Sequence, residues 1–544
     1  MMTTMRGRPS IEWWRGAIIY QVYPRSFQDT NGDGVGDLAG ITQRLEHIAS
    51  LGVDAVWVSP FFKSPMDDYG YDVEDYRAVD PLFGSDADFD DLLEKAHGLG
   101  LKLLVDLVPC HTSDRHAWFQ EARQSRDNAK ANWYVFAEPK EDGTPPNNWL
   151  SVFGGVAWTF EPRRGQYYLH NFLPSQPQLN WHNPDVRETV LAEAEFWLER
   201  GVDGFRVDAI DFALHDPELK DNPVRPKDSS PVGGFVPGMP FSRQLHVGQK
   251  GHPDLPEMVL RPLHDLAKRY DAFLLGEMSG DRSAERLAEY TDGGGLDAAY
   301  TFELLRSVAD PASISTVVES VERHVGGGWA CYSMGNHDVT RAVSRYGGHE
   351  EAECWQPLIT VMLCCLRGTI CLYQGEELGL TEAELAFEDL RDPYGISFFP
   401  AFKGRDGCRT PMPWEGATPH AGFTSGEPWL PVPIDHLARA VDRQETDPHS
   451  ILNRTRRFLQ WRQTQPALLT GDIRFLETEA PILAMTRETA EQRLLCVFNL
   501  GAEPAPFEAP SRLKPLAGSG FAAEVDTARV VLPAYGAFFG ALDD

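Results

Sequence analysis

The stretch Pro184–Asp208, PDVRETVLAEAEFWLERGVDGFRVD, contains one unit of the pattern that decides the fold. A helical pattern over Pro184–Arg200 is followed by a short apolar run over Gly204–Asp208 that favours a β-strand. Seven similar runs alternate with helical patterns elsewhere: Ala17–Tyr23, Ala55–Ser59, Lys102–Leu107, Phe273–Gly276, Ala298–Phe302, Ala330–Met334 and Ile370–Tyr373. Eight strands alternating with helices predict an α/β fold, a closed (β/α)8 TIM barrel. No Gly-rich phosphate loop follows an early strand, which disfavours a doubly wound sheet.

Some connections are too long for ordinary barrel loops, so we expect additions to the barrel. The segment after the third strand is rich in Trp, Asn, Pro and Gly, and short apolar runs near the C-terminus predict antiparallel strands. The resulting division is a barrel over 1–109 and 181–465, an inserted domain over 110–180, long loops at 221–251 and 381–431, and a C-terminal β-sandwich over 466–544.

Composition excludes several classes of partner. With 50 Lys and Arg against 80 Asp and Glu, the net charge of −30 would repel phosphate backbones and anionic lipid. We therefore expect neither nucleic acid nor a membrane as a partner. The eight cysteines form no C-x-x-C pair, and no apolar stretch is long enough to span a bilayer. Because Met1–Trp14 has no apolar h-region, we expect no signal peptide. The sequence predicts a soluble, cytoplasmic protein, either a monomer or a homodimer.

Polar side chains follow the predicted strand ends, where a TIM barrel carries its active site. They are Asp106 and His111, Arg206 and Asp208, Glu277, and Asn336, His337 and Asp338. One Asp or His at a strand end is ordinarily a turn or packing residue, but convergence of the whole set on one rim favours a functional site. Two facing carboxylates suit glycoside cleavage, because one can attack the anomeric carbon while the other protonates the leaving oxygen.

The residues next to Asp208 and Glu277 suggest which of the two is the nucleophile and which is the acid. Arg206 next to Asp208 should favour the ionised form that a nucleophile needs. Apolar residues before Glu277 could raise its pKa enough for it to act as an acid. No Cys/His spacing typical of zinc sites and no G-x-S-x-G is present, which disfavours zinc hydrolysis and the α/β-hydrolases.

Four segments resemble, in order, the motifs of the α-amylase family, glycoside hydrolase family 13: DLVPCH at Asp106–His111, GFRVD at Gly204–Asp208, Glu277, and NHD at Asn336–Asp338. The resemblance extends over essentially the whole chain. It implies that Asp208 is the nucleophile, Glu277 the general acid/base and Asp338 a stabiliser of the transition state, with retention of anomeric configuration. It also implies that His111, Arg206 and His337 surround the sugar next to the cleaved bond.

Further segments resemble a narrower group. DYGY at Asp68–Tyr71 is similar to the segment whose Asp and Tyr, here Asp68 and Tyr71, hold the terminal glucose. GRD at Gly404–Asp406 is similar to a segment of the oligosaccharide-cleaving α-glucosidases. This similarity implies that Arg405 pairs with Asp68 and closes the pocket, and Arg409 is the alternative residue for that role. The Pro/Gly-rich loop at 221–251 resembles bacterial α-glucosidases that prefer short substrates and transfer glucose to alcohols. By motif position, Phe153, Phe172 and Phe302 are expected to form walls on which a sugar stacks.

Three positions depart from the family pattern. Gln178 replaces the acidic residue of the QPDLN segment of oligo-1,6-glucosidases, which weakens a specificity assignment from that segment. Cys110 stands where many amylases have a calcium-ligating Asn, so that ion is not expected. Ala209 follows the nucleophile, and in the group that this chain resembles a small residue there accompanies α-1,4 preference.

A second candidate site lies near the N-terminus. Asp29–Asp37, DTNGDGVGD, places oxygen ligands at alternate positions and a Gly at the sixth, as a calcium loop does. Gly40 at the twelfth position and a preceding strand argue against an EF-hand, and an Asx-rich turn is the alternative. The resemblance implies a structural Ca²⁺ or Mg²⁺ away from the active site, and no cofactor for catalysis. The expected ligands are Asp29, Asn31, Asp33, Asp37 and the Val35 carbonyl.

These features together predict a retaining, exo-acting α-glucosidase that acts on neutral, maltose-like substrates and also transfers glucose. A sucrose-hydrolysing or sucrose-isomerising relative, or an oligo-1,6-glucosidase, would use the same catalytic residues. A non-catalytic barrel, like the heavy subunits of amino-acid transporters, is disfavoured because it needs a membrane anchor and tolerates loss of the carboxylates, whereas Asp208, Glu277 and Asp338 are all present.

Overall fold

A computed structural model describes residues 12–226, 240–347 and 351–542. Its strands are β1 (Ile18–Val22), β2 (Ala55–Val58), β3 (Phe62–Lys63), β4 (Asp75–Val79), β5 (Lys102–Leu107), β6 (Phe136–Ala137), β7 (Trp158–Glu161), β8 (Gln166–Leu169), β9 (Gly204–Val207), β10 (Phe273–Met278), β11 (Ala298–Thr301), β12 (Cys331–Tyr332), β13 (Thr369–Tyr373), β14 (Asp472–Phe475), β15 (Ile482–Glu488), β16 (Arg493–Asn499), β17 (Ala505–Glu508), β18 (Leu513–Pro515), β19 (Glu524–Asp526), β20 (Arg529–Leu532) and β21 (Ala537–Leu542).

The α-helices of the described residues are α1 (Leu38–Ser50), α2 (Asp86–Gly98), α3 (Ala117–Ala122), α4 (Pro184–Arg200), α5 (Arg261–Arg269), α6 (Ser283–Thr291), α7 (Phe302–Leu305), α8 (Pro311–Val325), α9 (Ala342–Tyr346), α10 (Ala352–Leu363), α11 (Pro393–Phe398), α12 (Val441–Glu445), α13 (Ile451–Arg462) and α14 (Pro466–Thr470). None of them is long and apolar enough to cross a membrane.

The unit quoted first shows how the sequence builds the barrel. Asn183 caps α4 by accepting a hydrogen bond from the backbone of Asp185, and Pro184 occupies the first turn. Gly201 ends the helix with a φ of 106°, a conformation that glycine adopts without strain. The chain then enters β9, all of whose residues are buried, as in a parallel sheet covered by helices.

Eight parallel strands form the barrel and confirm the predicted fold class. Their order is β11, β10, β9, β5, β2, β1, β13 and β12, and a parallel bridge between Ala299 and Ala330 joins the two edges. β12 is shorter than predicted, because only Cys331 and Tyr332 pair with β13 before the chain turns away. Because every strand runs in the same direction, the residues after β5, β9, β10 and β12 meet at one end.

Additions lie where long connections were predicted, while the domain limits themselves stay a prediction. β6, β8 and β7 form a small antiparallel sheet within the segment that follows β5. Near the C-terminus, a five-stranded and a three-stranded antiparallel sheet share one hydrophobic cluster that includes Leu495 and Val530. The predicted loop at 221–251 lies partly outside the described residues, and that at 381–431 contains α11.

Candidate active site

Three carboxylates converge on the guanidinium of Arg206, which is fully buried on β9. Nη1 of Arg206 donates to Asp106 and to Asp208, both at 2.6 Å, and Nη2 lies 2.6 Å from Oε2 of Glu277. Asp106 also accepts a hydrogen bond from the indole of Trp57 at 2.6 Å. The arrangement follows from the barrel register, which places Asp106 on β5 directly opposite Arg206. One cation therefore ties three neighbouring strand ends together.

Burial raises the pKa of both Asp208 and Glu277, and that of Glu277 ends higher. Burial raises the pKa of Asp208 to about 6, although Arg206 acts in the opposite direction. Burial likewise raises the pKa of Glu277 to about 8, against the effect of Arg206 and with the help of the charge on Asp208. Arg206 thus favours ionised Asp208, as the sequence suggested, but burial outweighs it. The pKa of Glu277 therefore lies above that of Asp208, so Asp208 is the first of the two to ionise, which is the order that a nucleophile and an acid require.

The backbone after Asp208 orients Glu277. The amide of Ala209 donates to Oε2 of Glu277 at 3.0 Å. Ala209 has a φ of 41°, a left-handed conformation that costs a residue other than glycine on the order of 1–3 kcal/mol. Such strain persists only where the surroundings impose it. Here the turn directs an N–H at the second candidate catalyst.

Asp338 lies between two arginines. Its Oδ1 accepts hydrogen bonds from Arg405 at 3.1 Å and from Arg409 at 3.0 Å. Burial by itself would raise the pKa of Asp338, but His337, Arg405 and Arg409 together hold it well below its usual range. Since burial lowers the pKa of His337 to about 3, that ring is neutral near pH 7 and the arginines carry most of the effect. Asp338 is therefore ionised near neutral pH.

Arg405 closes one side of the site. Besides Asp338, it donates to Asp68 at 2.8 Å and to Asp392 at 2.9 Å. Gln176, from the segment after β8, donates to the other oxygen of Asp68 at 3.0 Å. Burial raises the pKa of Asp68, while the Arg405 guanidinium acts against this shift. Loops far apart in the chain are thus joined around two buried carboxylates.

Two buried polar atoms on the cavity wall have no partner within the described structure. They are the Tyr71 hydroxyl and Nδ1 of His111. The other nitrogen of His111 lies 2.9 Å from the Tyr71 carbonyl, and burial lowers the pKa of this histidine to about 4, so the ring is neutral. Tyr71 itself stacks on His337 at 5.2 Å between ring centroids. A buried polar atom without a partner is costly, and the hydroxyls of a bound sugar could supply one here.

These side chains surround a cavity of about 320 Å³, at the lower end of the range for small-molecule sites. Ten of the predicted residues line it: Asp68, Tyr71, His111, Phe153, Phe172, Asp208, Glu277, Phe302, Asp338 and Arg405. Arg206 and His337 do not line the cavity but contact residues that do. The loop Asp29–Asp37 does not line it either.

Several lining residues were not predicted from the sequence: Phe212, Ser279, Arg306, Tyr394 and Phe402. Tyr394 packs against Phe153 with ring centroids 5.1 Å apart, and Arg405 lies 5.1 Å from the same Phe153 ring. The only available signal for Tyr394 and Asp392 was their place in the long excursion after β13. No periodicity marks residues on such a loop, so their convergence depends on the tertiary fold.

The Asp29–Asp37 loop is held by its own backbone amides. Asp29 accepts from the amides of Asn31 at 2.9 Å and Gly34 at 2.9 Å, and Asp33 accepts from Val35 at 2.9 Å. The donor set of carboxylate, amide and carbonyl oxygens fits a hard cation. However, no group of three or more acidic, His or Cys side chains placed to share an ion occurs in the described part of the chain. The ion stays a prediction.

Comparison with known proteins gives consistent matches. The family model for the catalytic domain of α-amylase matches residues 21–471. A probable α-glucosidase of Rhizobium meliloti (strain 1021) is 52% identical over 98% of each chain. An oligo-1,6-glucosidase of Heyndrickxia coagulans is 36% identical over 92% of this chain and 94% of its own.

Solved structures of related enzymes are also similar to this chain over nearly its whole length. The α-glucosyl transfer enzyme XgtA has a TM-score of 0.96 and 54% identity, covering 98% of this chain and 99% of its own. The trehalulose synthase MutB of Pseudomonas mesoacidophila MX-45 has a TM-score of 0.89 and 33% identity, covering 99% of this chain and 100% of its own. The similarity therefore includes both the barrel and its additions.

Proposed function

The chain belongs to the α-amylase family of glycoside hydrolases, and on that basis we propose that it is a retaining α-glucosidase that removes glucose from the non-reducing end of short, neutral α-glucosides. The observation that carries the proposal is the pair of buried carboxylates around Arg206: Asp208 accepts a hydrogen bond from Nη1 at 2.6 Å, and Oε2 of Glu277 lies 2.6 Å from Nη2. Both line one small cavity, where a glycosidic bond could lie between them.

The chemistry proceeds by two displacements. The Asp208 carboxylate attacks the anomeric carbon, the bond from that carbon to the leaving oxygen breaks, and the proton of Glu277 passes to that oxygen. Ionised Glu277 then takes a proton from water, and the water oxygen displaces Asp208 from the anomeric carbon. Asp208 is again a carboxylate, and Glu277 again carries a proton. An alcohol in place of water gives a transferred glucoside. Asp338 stabilises the positive charge that develops on the sugar, since it stays ionised throughout.

Exo-action is supported by the contacts of Arg405. This side chain joins Asp68, Asp338 and Asp392 at one side of the cavity, where it would block a longer chain from continuing past the terminal sugar. Asp68, together with the unpartnered Tyr71 hydroxyl and Nδ1 of His111, would then bind the hydroxyls of a terminal glucose. A single sugar unit enters, and the rest of the substrate extends outward past Phe302 and Tyr394.

Ala209 lines the cavity next to Asp208, and the resemblance to enzymes in which a small residue at this position accompanies α-1,4 preference supports that linkage. The main alternative is a sucrose-active enzyme, favoured by the fold similarity to a trehalulose synthase. Oligo-1,6-glucosidase activity is a further alternative, in view of the relative of that name. Transfer to alcohols is supported by the similarity to an α-glucosyl transfer enzyme.

We also propose a structural Ca²⁺ or Mg²⁺ on the Asp29–Asp37 loop, held by oxygens of Asp29, Asn31, Asp33, Val35 and Asp37. It would neutralise three carboxylates in one short loop and fix the entry to α1, which Asp37 caps. It takes no part in the chemistry. We further propose that the protein is cytoplasmic and that it is a monomer or a homodimer.

A hydrolysis panel of maltose, isomaltose, sucrose, trehalose and maltotriose tests the function, with the first product followed by NMR. We expect maltose to be the best disaccharide and α-glucose to appear before its β-anomer, because two displacements retain the configuration. Asp208→Asn should abolish this turnover. β-Glucose as the first product would rule out double displacement, and sucrose as the best substrate would establish the sucrose-active alternative.

A further inference from the structure

The turn after Asp208 and the end of β10 are joined by direct hydrogen bonds. Ser279 lies two residues after Glu277, and its backbone amide donates to the Asp211 carboxylate at 2.8 Å. The amide of Gly251 donates to the Asp211 carbonyl at 2.8 Å, which brings a later segment of the same connection to this junction. With the bond from Ala209 to Glu277, these contacts link the segment after Asp208 to the segment after Glu277.

Lys250 lies behind the cavity wall and contacts residues on both sides of this junction. Its ammonium donates to the Ser279 hydroxyl at 3.0 Å and to the Ser279 carbonyl at 3.2 Å. The same ammonium lies 4.3 Å from the ring of Phe212. Ser279 and Phe212 both line the cavity, whereas Lys250 does not. The side chain therefore bridges the element that carries Asp208 and the element that carries Glu277.

A buried ammonium is costly to maintain, and the reaction proposed above makes no use of it. Burial lowers the pKa of Lys250 to about 8. The titratable groups around it include Asp211, Asp281 and Glu277, which favour the ammonium, and Arg286, which disfavours it. They also include His246, whose pKa is lowered by burial and by the Lys250 charge. A methionine would fill the same volume without this cost. The position thus retains a charge that packing alone does not require.

We propose that Lys250 is a positioning residue that holds the nucleophile and the general acid/base at their working separation. This inference rests on the proposed function of Asp208 and Glu277. By holding Ser279 and the face of Phe212 together, the ammonium prevents the end of β10 from moving away from the turn after β9. Its positive charge also favours ionised Glu277, the form that accepts a proton in the second displacement.

Lys250→Met tests the inference in the full-length protein. We expect kcat on p-nitrophenyl α-glucoside to fall about 100-fold, since a displacement of about 1 Å can have this effect, while KM stays within about threefold. Loss of the nearby positive charge should raise the pKa of Glu277, so the alkaline limb of the pH–rate profile moves to higher pH. Lys220→Met is the matched control, because Lys220 lies in the same connection with an exposed side chain and should leave both quantities unchanged.

Ser279→Ala provides a second variant in case Lys250→Met does not fold. It removes one of the two oxygens that bind the ammonium, so a smaller fall in kcat is expected. Wild-type kcat and an unshifted pH profile in Lys250→Met would overturn the inference, as would a lower melting temperature with an unshifted profile. Failure of the wild-type protein to hydrolyse any α-glucoside would instead overturn the proposed function, so the two failures are distinguishable.

Discussion

Glu277 and Asp208 share Arg206 but differ in their other surroundings. Asp208 accepts a hydrogen bond from Nη1 of Arg206 at 2.6 Å, and the charges of Asp106 and Asp338 raise its pKa. Oε2 of Glu277 lies 2.6 Å from Nη2 of the same guanidinium, and the charges of Asp208 and Asp338 raise its pKa further. Two carboxyl groups in one buried site cannot both ionise easily, so one proton remains between them near neutral pH. The electrostatics of the site therefore determine which carboxyl group acts as the acid and which as the nucleophile.

Glu277→Gln should remove the acid and leave the fold intact. We expect kcat/KM on maltose to fall about 10³-fold, within the range for lost general acid catalysis, and the fall on p-nitrophenyl α-glucoside to be smaller because nitrophenolate leaves without a proton. Glutamine is a close substitute for the protonated acid, so the melting temperature should change little. Glu121→Gln, at an exposed position on α3, is the control. Equal losses on both substrates would contradict the acid role.

The rate should depend on pH in a bell shape. Activity is lost as Asp208 gains a proton below about pH 6 and as Glu277 loses its proton above about pH 8. Both values belong to an interacting pair, so kcat/KM measured from pH 4 to 10 reports the two limbs of the pair. In Glu277→Gln the alkaline limb should disappear. A wild-type rate that stays constant across the range would contradict these proton affinities.

The connection between β13 and α12 supplies much of one wall of the site, although no part of it belongs to the barrel strands. α11 begins at Pro393 and carries Tyr394, and the segment after it carries Arg405. Asp392 accepts from the backbone and the side chain of Arg405, so this connection folds back on itself before it reaches Asp68. A connection that is mostly irregular, apart from α11, is thereby held in place by one buried cation.

Arg405→Lys should weaken this closure, because an ammonium cannot reproduce the planar fork that contacts three carboxylates. We expect kcat/KM on maltose to fall about tenfold or more, and the ratio of activity on starch to activity on maltose to rise as the pocket opens. Lys403→Gln is the control, since its side chain is exposed and pairs with Glu384 on the surface. An unchanged ratio would show that Arg405 does not exclude longer chains.

The Asp29–Asp37 loop should respond to divalent ions through stability and not through activity. Addition of Ca²⁺ or Mg²⁺ to chelator-treated protein should raise the melting temperature by a few degrees, since a ligand that binds only the folded state stabilises it. Asp33→Asn should reduce the rise. Asp142→Asn is a matched control, because Asp142 makes the same turn contact, to the amide of Thr144 at 3.0 Å. No rise in the wild-type protein would leave the loop as an Asx-rich turn.

At the scale of the whole molecule, closure of the barrel brings the site together. Asp68 and Arg405 are 337 residues apart in the chain, yet they form a direct ion pair. The cavity they enclose should admit one sugar unit. Maltoheptaose should therefore release glucose as its first product, with maltohexaose in equal amount, in a time course followed by chromatography. Early maltose or maltotriose would indicate an open groove and internal cleavage.

The amino-acid sequence by itself determined the barrel and the main candidate residues. Helix and strand patterns are local, and carboxylates at strand ends must meet once parallel strands close, so Asp208, Glu277 and Asp338 could be predicted. Only the tertiary structure decided which loops meet, as with Asp392, Tyr394 and Lys250, because such contacts follow no periodicity. It also decided that burial outweighs Arg206 in raising the pKa of Asp208, since burial depends on how every element packs.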